Sequence, residues 1–300
     1  MQLIQNPDKR FLLHIWRTGT SFEFTNRYPL YMEWNNIKFS TLPYLDVPPN
    51  LYHYELRKPL PFEENTFDAI YCNHVFEHLT HEGGIKFSNE LNRVLKPGGI
   101  CRVVVPDLES AAREYLKNLE EVLHHPFPDN KIRYEWGVAD LIDQMVRLKP
   151  GGMMGEKLTA GDVDWDQIKR CNGDVFESFR IKSKKQHSSN YMKLLKNHFL
   201  NLLSNKDILK FVKLFWYRLR REYFIKLSKK SLVELYNEKN LWMYDHFSLP
   251  RLLKRSNFVD IQVMDFNTSK IDEWSRYNFD QSEKGNYPLE PSVYVEGSKK

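Results

Sequence analysis

The sequence predicts an α/β protein with a mostly parallel sheet. Two strand patterns, at 51–56 and 67–72, precede a helix pattern at about 82–95. The Lys-Pro-Gly-Gly run at 96–99 ends this helix, because proline cannot continue it and glycine accepts the left-handed cap conformation. The next residues, 100–105, are nearly all apolar, which is typical of a strand covered on both faces. Strand, helix and strand in this order predict a right-handed crossover.

The first 50 residues are aromatic and irregular. They predict a strand at 11–16 and a second strand at 34–37. Tyr28-Pro29 and Pro48-Pro49 are turn signals.

Residues 110–240 predict a long, mostly helical interruption of the sheet, with one helix at 140–148 and helical spacing of apolar residues across 195–219. A helix near 248–255 then precedes strands at 259–266 and 292–296. We therefore expect three parts. The first part of the sheet domain is 1–109, a helical and partly basic insertion is 110–240, and the rest of the sheet domain is 241–300.

The net charge is 44 − 39 = +5, but residues 181–230 hold fourteen Lys and Arg against two acids. Three interpretations of this basic stretch stay open. The stretch would pack on the sheet domain as a cap, contact the surface of an anionic membrane, or bind a polyanionic acceptor. Nucleic acid is not expected, because no stacking platform or known RNA-binding motif accompanies the charge.

No apolar run reaches the roughly 18 residues that a membrane-spanning helix needs. The first ten residues include an acid and a proline instead of a basic segment leading into an apolar one, so no signal peptide is expected. The three cysteines are widely spaced and predict neither disulfides nor a zinc ribbon. We expect a cytoplasmic protein, with membrane association if 181–230 contacts lipid.

Five segments carry a family resemblance: 56–79, 91–100, 103–107, 244–249 and 292–297. They place a Phe-Asp strand, a His-x-x-Glu-His segment, a Leu-Lys-Pro-Gly-Gly stop, another strand and a closing hairpin in order. This order resembles the class I S-adenosylmethionine-dependent methyltransferases, in particular the methyltransferase type 11 group. The resemblance implies a Rossmann-like sheet with an antiparallel last strand, and S-adenosylmethionine as cofactor.

Ligands of open α/β sheets bind at the carboxyl ends of the strands. By resemblance, Glu55 would face the adenine or ribose side of the cofactor, and Asn73 with His74 would line its methionine part. A helix cap is the open alternative for Asn73, and also for Asp107.

The expected Gly-x-Gly turn after the first strand is altered. Residues 16–20 read Trp-Arg-Thr-Gly-Thr, which leaves only Gly19 for the close backbone approach that glycine permits. The usual acid after the second strand is not evident, because Lys38 falls near that place and Asp46 is a later substitute. Gly19 and Asp46 are nevertheless the expected cofactor contacts here.

His74, His78 and His81 are the candidate catalytic bases, because a histidine with a pKa near neutrality suits proton removal from a hydroxyl acceptor. Glu77 and Asp107 are candidate orienting groups. The His-x-x-Glu-His pattern also fits inverted zinc proteases, but it follows a strand directly and so begins a helix instead of lying within one. We expect no metal site.

These features predict an S-adenosylmethionine-dependent methyltransferase that acts on a small-molecule or saccharide acceptor. The alternative is a degenerate methyltransferase-like protein that binds no cofactor and serves as an interaction or scaffold module. The altered turn at 16–20 separates the two hypotheses.

Overall fold

The computed structural model describes residues 3, 5–17, 33–39, 51–148, 151–176, 180, 239–282, 288 and 290–300. In this part of the chain seven strands form one sheet. They are β1 (Leu12–Arg17), β2 (Asn35–Phe39), β3 (Leu51–Tyr54), β4 (Phe67–Asn73), β5 (Leu95–Pro106), β6 (Phe258–Met264) and β7 (Ser292–Lys299).

The strand order is β3-β2-β1-β4-β5-β7-β6. All pairs are parallel except those that β7 makes with β5 and β6. The predicted fold class, a Rossmann-like and mostly parallel sheet with an antiparallel last strand, is confirmed. The order reverses between β1 and β4, where Trp16 lies in register with Asn73.

The central crossover helix, α1 (His81–Val94), joins β4 to β5. Thr80 caps its first turn by accepting a hydrogen bond from the amide of Gly83. The Lys-Pro-Gly-Gly run does end the helix, but it belongs to the start of β5. It bulges between the pairs Phe67 with Leu95 and Ala69 with Ile100, and Gly98 there has a φ of 77°.

Both faces of the sheet are covered. On one face, α1 and α6 (Ser248–Arg255) pack on the apolar side chains of β1, β4, β5 and β7. On the other, the segment 271–279, which contains the short helix α7 (Trp274–Tyr277), supplies aromatic side chains. This double coverage explains why 100–105 reads as a continuous apolar run.

The described insertion has four helices: α2 (Leu108–His124), α3 (Pro128–Val138), α4 (Gly152–Ala160) and α5 (Trp165–Asn172). The last three of them contribute to a small core around Trp136. The helix predicted at 140–148 is wrong in its bounds. Pro128 starts a helix much earlier, in the first-turn position that proline favours, and α3 runs on through a π-turn at Ala139–Asp143 to Val146.

Several predictions concern residues outside the described ranges. They include the turns at 28–29 and 48–49, the apolar spacing at 195–219 and the basic stretch 181–230. The division at 109/110 and 240/241 also stays a prediction. The hairpin predicted at the end of the chain is confirmed, because β6 and β7 pair antiparallel.

Candidate active site

The carboxyl ends of β1, β4 and β5 form the rim where ligands of such sheets bind. Asn73 is the last residue of β4. Its Oδ1 atom is buried and has no hydrogen-bond partner among the described residues. Thr80, and not Asn73, caps α1, so the capping alternative for Asn73 is wrong. A buried acceptor without a partner costs roughly 1–3 kcal/mol, so a ligand that supplies an N–H group fits this position.

His74 follows directly and has a positive φ of 51°, which is uncommon outside glycine. This backbone turn places its ring between two carboxylates. Nδ1 lies 3.4 Å from Oε1 of Glu77, and Nε2 lies 3.5 Å from Oε2 of Glu290. The backbone amide of His74 donates to the carbonyl of Val104 in β5, which fixes the turn to the sheet.

His78 ends a single 3-10 turn, Phe76–His78. Its Nε2 lies 3.5 Å from Oε1 of Glu77, and its Nδ1 lies 2.9 Å from the carbonyl oxygen of Lys239. The structure therefore brings His74 and His78 to one carboxylate. His81 is separate from them. It is exposed at the start of α1, where its ring centroid lies 4.8 Å from that of Trp242.

The Glu77 side chain is almost fully buried. Burial acts to raise the pKa of this carboxyl, but the rings of His78 and His74 outweigh it and hold the pKa below its ordinary value. Two backbone amides, of Leu241 and Trp242, donate to the Glu77 carbonyl oxygen. These bonds anchor the backbone of Glu77, and its carboxylate favours positive charge on either neighbouring imidazole.

The zinc-protease interpretation requires both histidines on one long helix. Here His74 lies outside the short 3-10 turn, and both rings contact Glu77. In the parts of the chain that the structure describes, no group of three or more His, Cys, Asp or Glu side chains is arranged to hold a metal ion.

The structure does not bring the other predicted cofactor contacts to His74. Gly19 and Asp46 lie outside the described residues. Glu55 follows β3, which β2 and β1 separate from β4. Its carboxylate pairs with Arg57, and hydrogen bonding from that guanidinium lowers the Glu55 pKa. The cofactor roles of these three residues stay predictions.

Asp107 is the N-cap of α2 and accepts a hydrogen bond from the amide of Glu109, so the cap expected as its alternative role is present. The same residue lines a cavity of about 200 Å³ at the carboxyl end of β5. The cavity lies between α2, the π-turn, α5 and the segments around Asn240 and Glu290. Glu290 also contacts His74. The cavity therefore adjoins the group formed by His74, Glu77 and His78, which we call the histidine cluster.

Sequence reasoning missed Glu290, Asp140 and Asn240, which all line this cavity. One signal could have found Glu290. An antiparallel last strand enters the sheet at the carboxyl rim of its parallel neighbour, and Ser292 indeed pairs with Pro106, the last residue of β5. Residues just before β7 therefore lie at the site.

Residues 40–103 match a protein-family model described as a methyltransferase domain. The predicted resemblance to the methyltransferase type 11 group is thereby confirmed over these residues. The matched segment includes β4, the histidine cluster and most of β5.

An uncharacterized protein of Methanocaldococcus jannaschii is 35% identical over 97 residues, which cover 29% of this chain and 41% of that protein. The chain thus spans less than half the length of this curated relative.

Two solved structures are also similar. A Thermotoga maritima structure described as an SAM-dependent methyltransferase, possible histamine N-methyltransferase, shares 12% identity at a TM-score of 0.34, covering 96% of this chain and 82% of that one. An S-adenosylmethionine-dependent methyltransferase from Mesorhizobium loti shares 15% identity at a TM-score of 0.24, covering 32% and 47%.

Of the helices in the described ranges, none has both the length and the apolar character needed to cross a bilayer.

Proposed function

We propose that this protein is an S-adenosylmethionine-dependent methyltransferase that acts on a small-molecule or saccharide acceptor. The observation that carries the proposal is the position of His74, between Glu77 and Glu290 at the carboxyl rim of the sheet. Asn73, whose buried Oδ1 atom has no partner among the described residues, precedes His74 in the chain, and Glu290 also lines the cavity at the end of β5.

S-adenosylmethionine supplies a methyl group on an already activated sulfonium, so aligning the acceptor accounts for most of the rate. Asn73 and His74 would hold its methionine part. The Oδ1 atom of Asn73 suits the ammonium group there, since it is an acceptor without a donor. Gly19, Asp46 and Glu55 are proposed for the nucleoside part.

His74 is the proposed general base for the acceptor, and Glu77 orients its ring through Nδ1. The Glu77 carboxylate also stabilises the imidazolium that forms when His74 takes a proton. His78 shares this carboxylate and is the second candidate base. His81 is the third, from its exposed position beside Trp242.

Titration calorimetry with S-adenosylmethionine and S-adenosylhomocysteine tests cofactor binding. We expect both to bind. Asn73→Leu should lower the affinity for S-adenosylhomocysteine by about tenfold or more, which corresponds to about 1.4 kcal/mol of binding free energy. Because that substitution removes a buried atom without a partner, the melting temperature should not fall. Asn89→Leu, at an exposed position of α1, is the matched control and should bind normally.

No heat from either compound would overturn the proposal and favour the cofactor-free scaffold. Equal affinity in the wild type and Asn73→Leu would remove Asn73 from the site.

A cytoplasmic location, with contact between 181–230 and anionic membranes, is part of the same proposal. In a flotation assay the full chain should rise with anionic liposomes. A variant whose lysines and arginines in 181–230 are replaced by glutamine should stay in the bottom fraction. Equal flotation of the two proteins would rule out this contact.

A further inference from the structure

The cavity at the end of β5 is rich in hydrogen-bond acceptors. Its lining includes the carboxyl groups of Asp107, Glu114, Asp140 and Glu290, against two cationic side chains, Lys117 and Arg170. The formal charge of these six side chains is 2 − 4 = −2. Arg170 approaches Glu114 to 3.9 Å, and Asp107 serves α2 as its cap. The acids that remain for a ligand are therefore Asp140 and Glu290.

Asn240 gives independent evidence for a ligand. It is 3% exposed, it lines the cavity, and its Oδ1 accepts no hydrogen bond from any described residue. Its amide nitrogen is already engaged, lying 3.3 Å from Oε1 of Gln144. Since buried polar atoms are nearly always paired, this oxygen calls for a donor from the molecule that fills the cavity.

Asp140 is a second cavity residue whose carboxylate lacks a compensating charge among the described residues. Its Oδ1 accepts a hydrogen bond of 2.7 Å from Nδ2 of Asn172, and no cationic side chain in the described ranges pairs with it. Burial raises the pKa of Asp140 to about 6, although the bond from Asn172 lowers it, and the charges of Glu290 and Glu114 add to the rise. A cation in the cavity would relieve this repulsion.

Glu290 connects the cavity to the candidate base. Its Oε2 lies 3.5 Å from Nε2 of His74, and the same side chain lines the cavity. A proton taken up by Glu290 can therefore pass to His74, which Glu77 holds from its other side.

Resting on the proposed methyltransferase function, we propose that this cavity binds the acceptor and that the acceptor carries an amino group, on a small amine or an amino sugar. Asn240 presents an oxygen atom without a donor, Asp140 has no cationic partner among the described residues, and Glu290 has only the ring of His74. A protonated amine supplies both a donor and a positive charge. A neutral polyol would supply donors but would leave the negative charge uncompensated.

The reaction balances with these groups. The acceptor ammonium gives one proton to the Glu290 carboxylate, which frees the nitrogen lone pair. That nitrogen attacks the methyl carbon of the sulfonium, so an N–C bond forms as the C–S bond breaks. The products are a methylated ammonium, which keeps the positive charge beside Asp140, and the neutral thioether S-adenosylhomocysteine.

Matched pairs of probes test the chemistry. D-glucosamine is compared with D-glucose, and 1,4-diaminobutane with 1,4-butanediol, by titration calorimetry on the full chain with and without S-adenosylhomocysteine. We expect the amine in at least one pair to bind about tenfold more tightly than its hydroxyl partner. The pair that shows this preference identifies an amino sugar or a simple amine as the better mimic.

Three variants test which residues cause the preference for the amine. Asp140→Asn and Glu290→Gln should each abolish most of it, and Asn240→Leu should weaken binding of the amine. Glu120→Gln, an exposed position of α2 with the same change of charge, is the control and should keep the preference.

Equal binding of amine and hydroxyl compounds, absence of binding by either amine at millimolar concentration, or a preference that survives both acid substitutions would overturn the inference. If S-adenosylhomocysteine binds but no amine preference appears, the inference alone fails. If the amine preference appears without binding of S-adenosylhomocysteine, the proposed methyltransferase function fails and the amine pocket stands.

Discussion

The Glu290 carboxylate lies 3.5 Å from Nε2 of His74, although the two residues are far apart in the sequence. The antiparallel β7 causes this approach, because its first residue, Ser292, pairs with Pro106 at the carboxyl end of β5. Burial raises the pKa of Glu290, while the positive charge of His74 opposes the rise and Glu77 adds to it. An imidazole between two such carboxylates is suited to accept and pass on a proton.

Substitution of His74 tests this arrangement. His74→Gln should lower the single-turnover rate of methyl transfer to D-glucosamine or 1,4-diaminobutane by about 10²–10⁴-fold, the usual contribution of a general base. His78→Gln should cost less, because one ring nitrogen of His78 lies against the carbonyl of Lys239 and only the other faces Glu77. Transfer of labelled methyl groups measures both rates.

His124→Gln is the control for these variants, because His124 is exposed in the last turn of α2, and it should react at the wild-type rate. His81→Gln compares the third candidate, for which exposure beside Trp242 indicates the smallest loss of the three. Equal rates for His74→Gln and His124→Gln would contradict the role of His74.

The fold was predictable because its signals are local. The Lys-Pro-Gly-Gly stop and the apolar run in β5 are properties of consecutive residues, and they located α1 and the end of β5 closely, although β5 begins at Leu95 and not at the predicted residue 100. The π-turn after α3 was not predictable in this way. It depends on packing in the insertion, where Asp143 accepts hydrogen bonds from the amides of Met153 and Met154 at the start of α4.

The candidate site was predictable only in the segment that directly follows a strand. Asn73 ends β4 and His74 follows it, and the rule for strand ends found them. Asp140 and Asn240 reach the cavity through tertiary packing of distant segments, and no local pattern marks them. Glu290 lies just before β7, so the direction of that strand could have located it.

Stability should depend on pH through His14. This ring is buried between aromatic side chains, 5.0 Å from the ring of Tyr71 and 5.6 Å from that of Phe279. Burial lowers its pKa from 6.5 to about 3, although the contact with Asn36 opposes the shift. Below pH 6.5 the unfolded chain therefore binds a proton that the folded chain does not, so stability falls as the pH decreases. The loss from this group approaches about 1.4 kcal/mol per pH unit.

Urea unfolding from about pH 7 to about pH 5 measures this slope. His14→Phe should have a shallower slope than the wild type, because it keeps the aromatic packing and removes the titrating group. His124→Phe changes an exposed ring and should keep the wild-type slope. Parallel curves for His14→Phe and the wild type would show that His14 does not set the dependence.

Contact between α1 and the segment before α6 should depend on Gly84. A Cβ atom at this position would lie 2.6 Å from the hydroxyl oxygen of Tyr244, which is too close without a shift. Gly84→Ala should therefore lower the free energy of unfolding by about 1–3 kcal/mol. Tyr244→Phe removes that oxygen, which has no partner among the described residues, and should restore most of the loss in the double variant.

A double-mutant cycle by urea unfolding measures this coupling. Gly155→Ala is the control, because no described atom outside its own helix backbone lies within 4 Å of its added Cβ, and it should be neutral or stabilising by about 0.5–1 kcal/mol. Additive effects of Gly84→Ala and Tyr244→Phe would contradict the proposed clash.

Arg102 should stabilise the second face of the sheet. It lies fully buried in β5, with Nε 2.7 Å from Asp280 and Nη1 2.9 Å from Glu296, and both acids are buried as well. The guanidinium also lies 4.8 Å from the ring centroid of Trp274. Arg102→Met would leave two buried carboxyl groups without a cation, so we expect a loss of about 3–5 kcal/mol in the free energy of unfolding. Arg102→Met combined with Asp280→Asn and Glu296→Gln should lose less than Arg102→Met alone, because the uncompensated charges are then removed. A triple variant less stable than the single variant in urea would show that the hydrogen-bond geometry, and not charge compensation, decides the stability of this cluster.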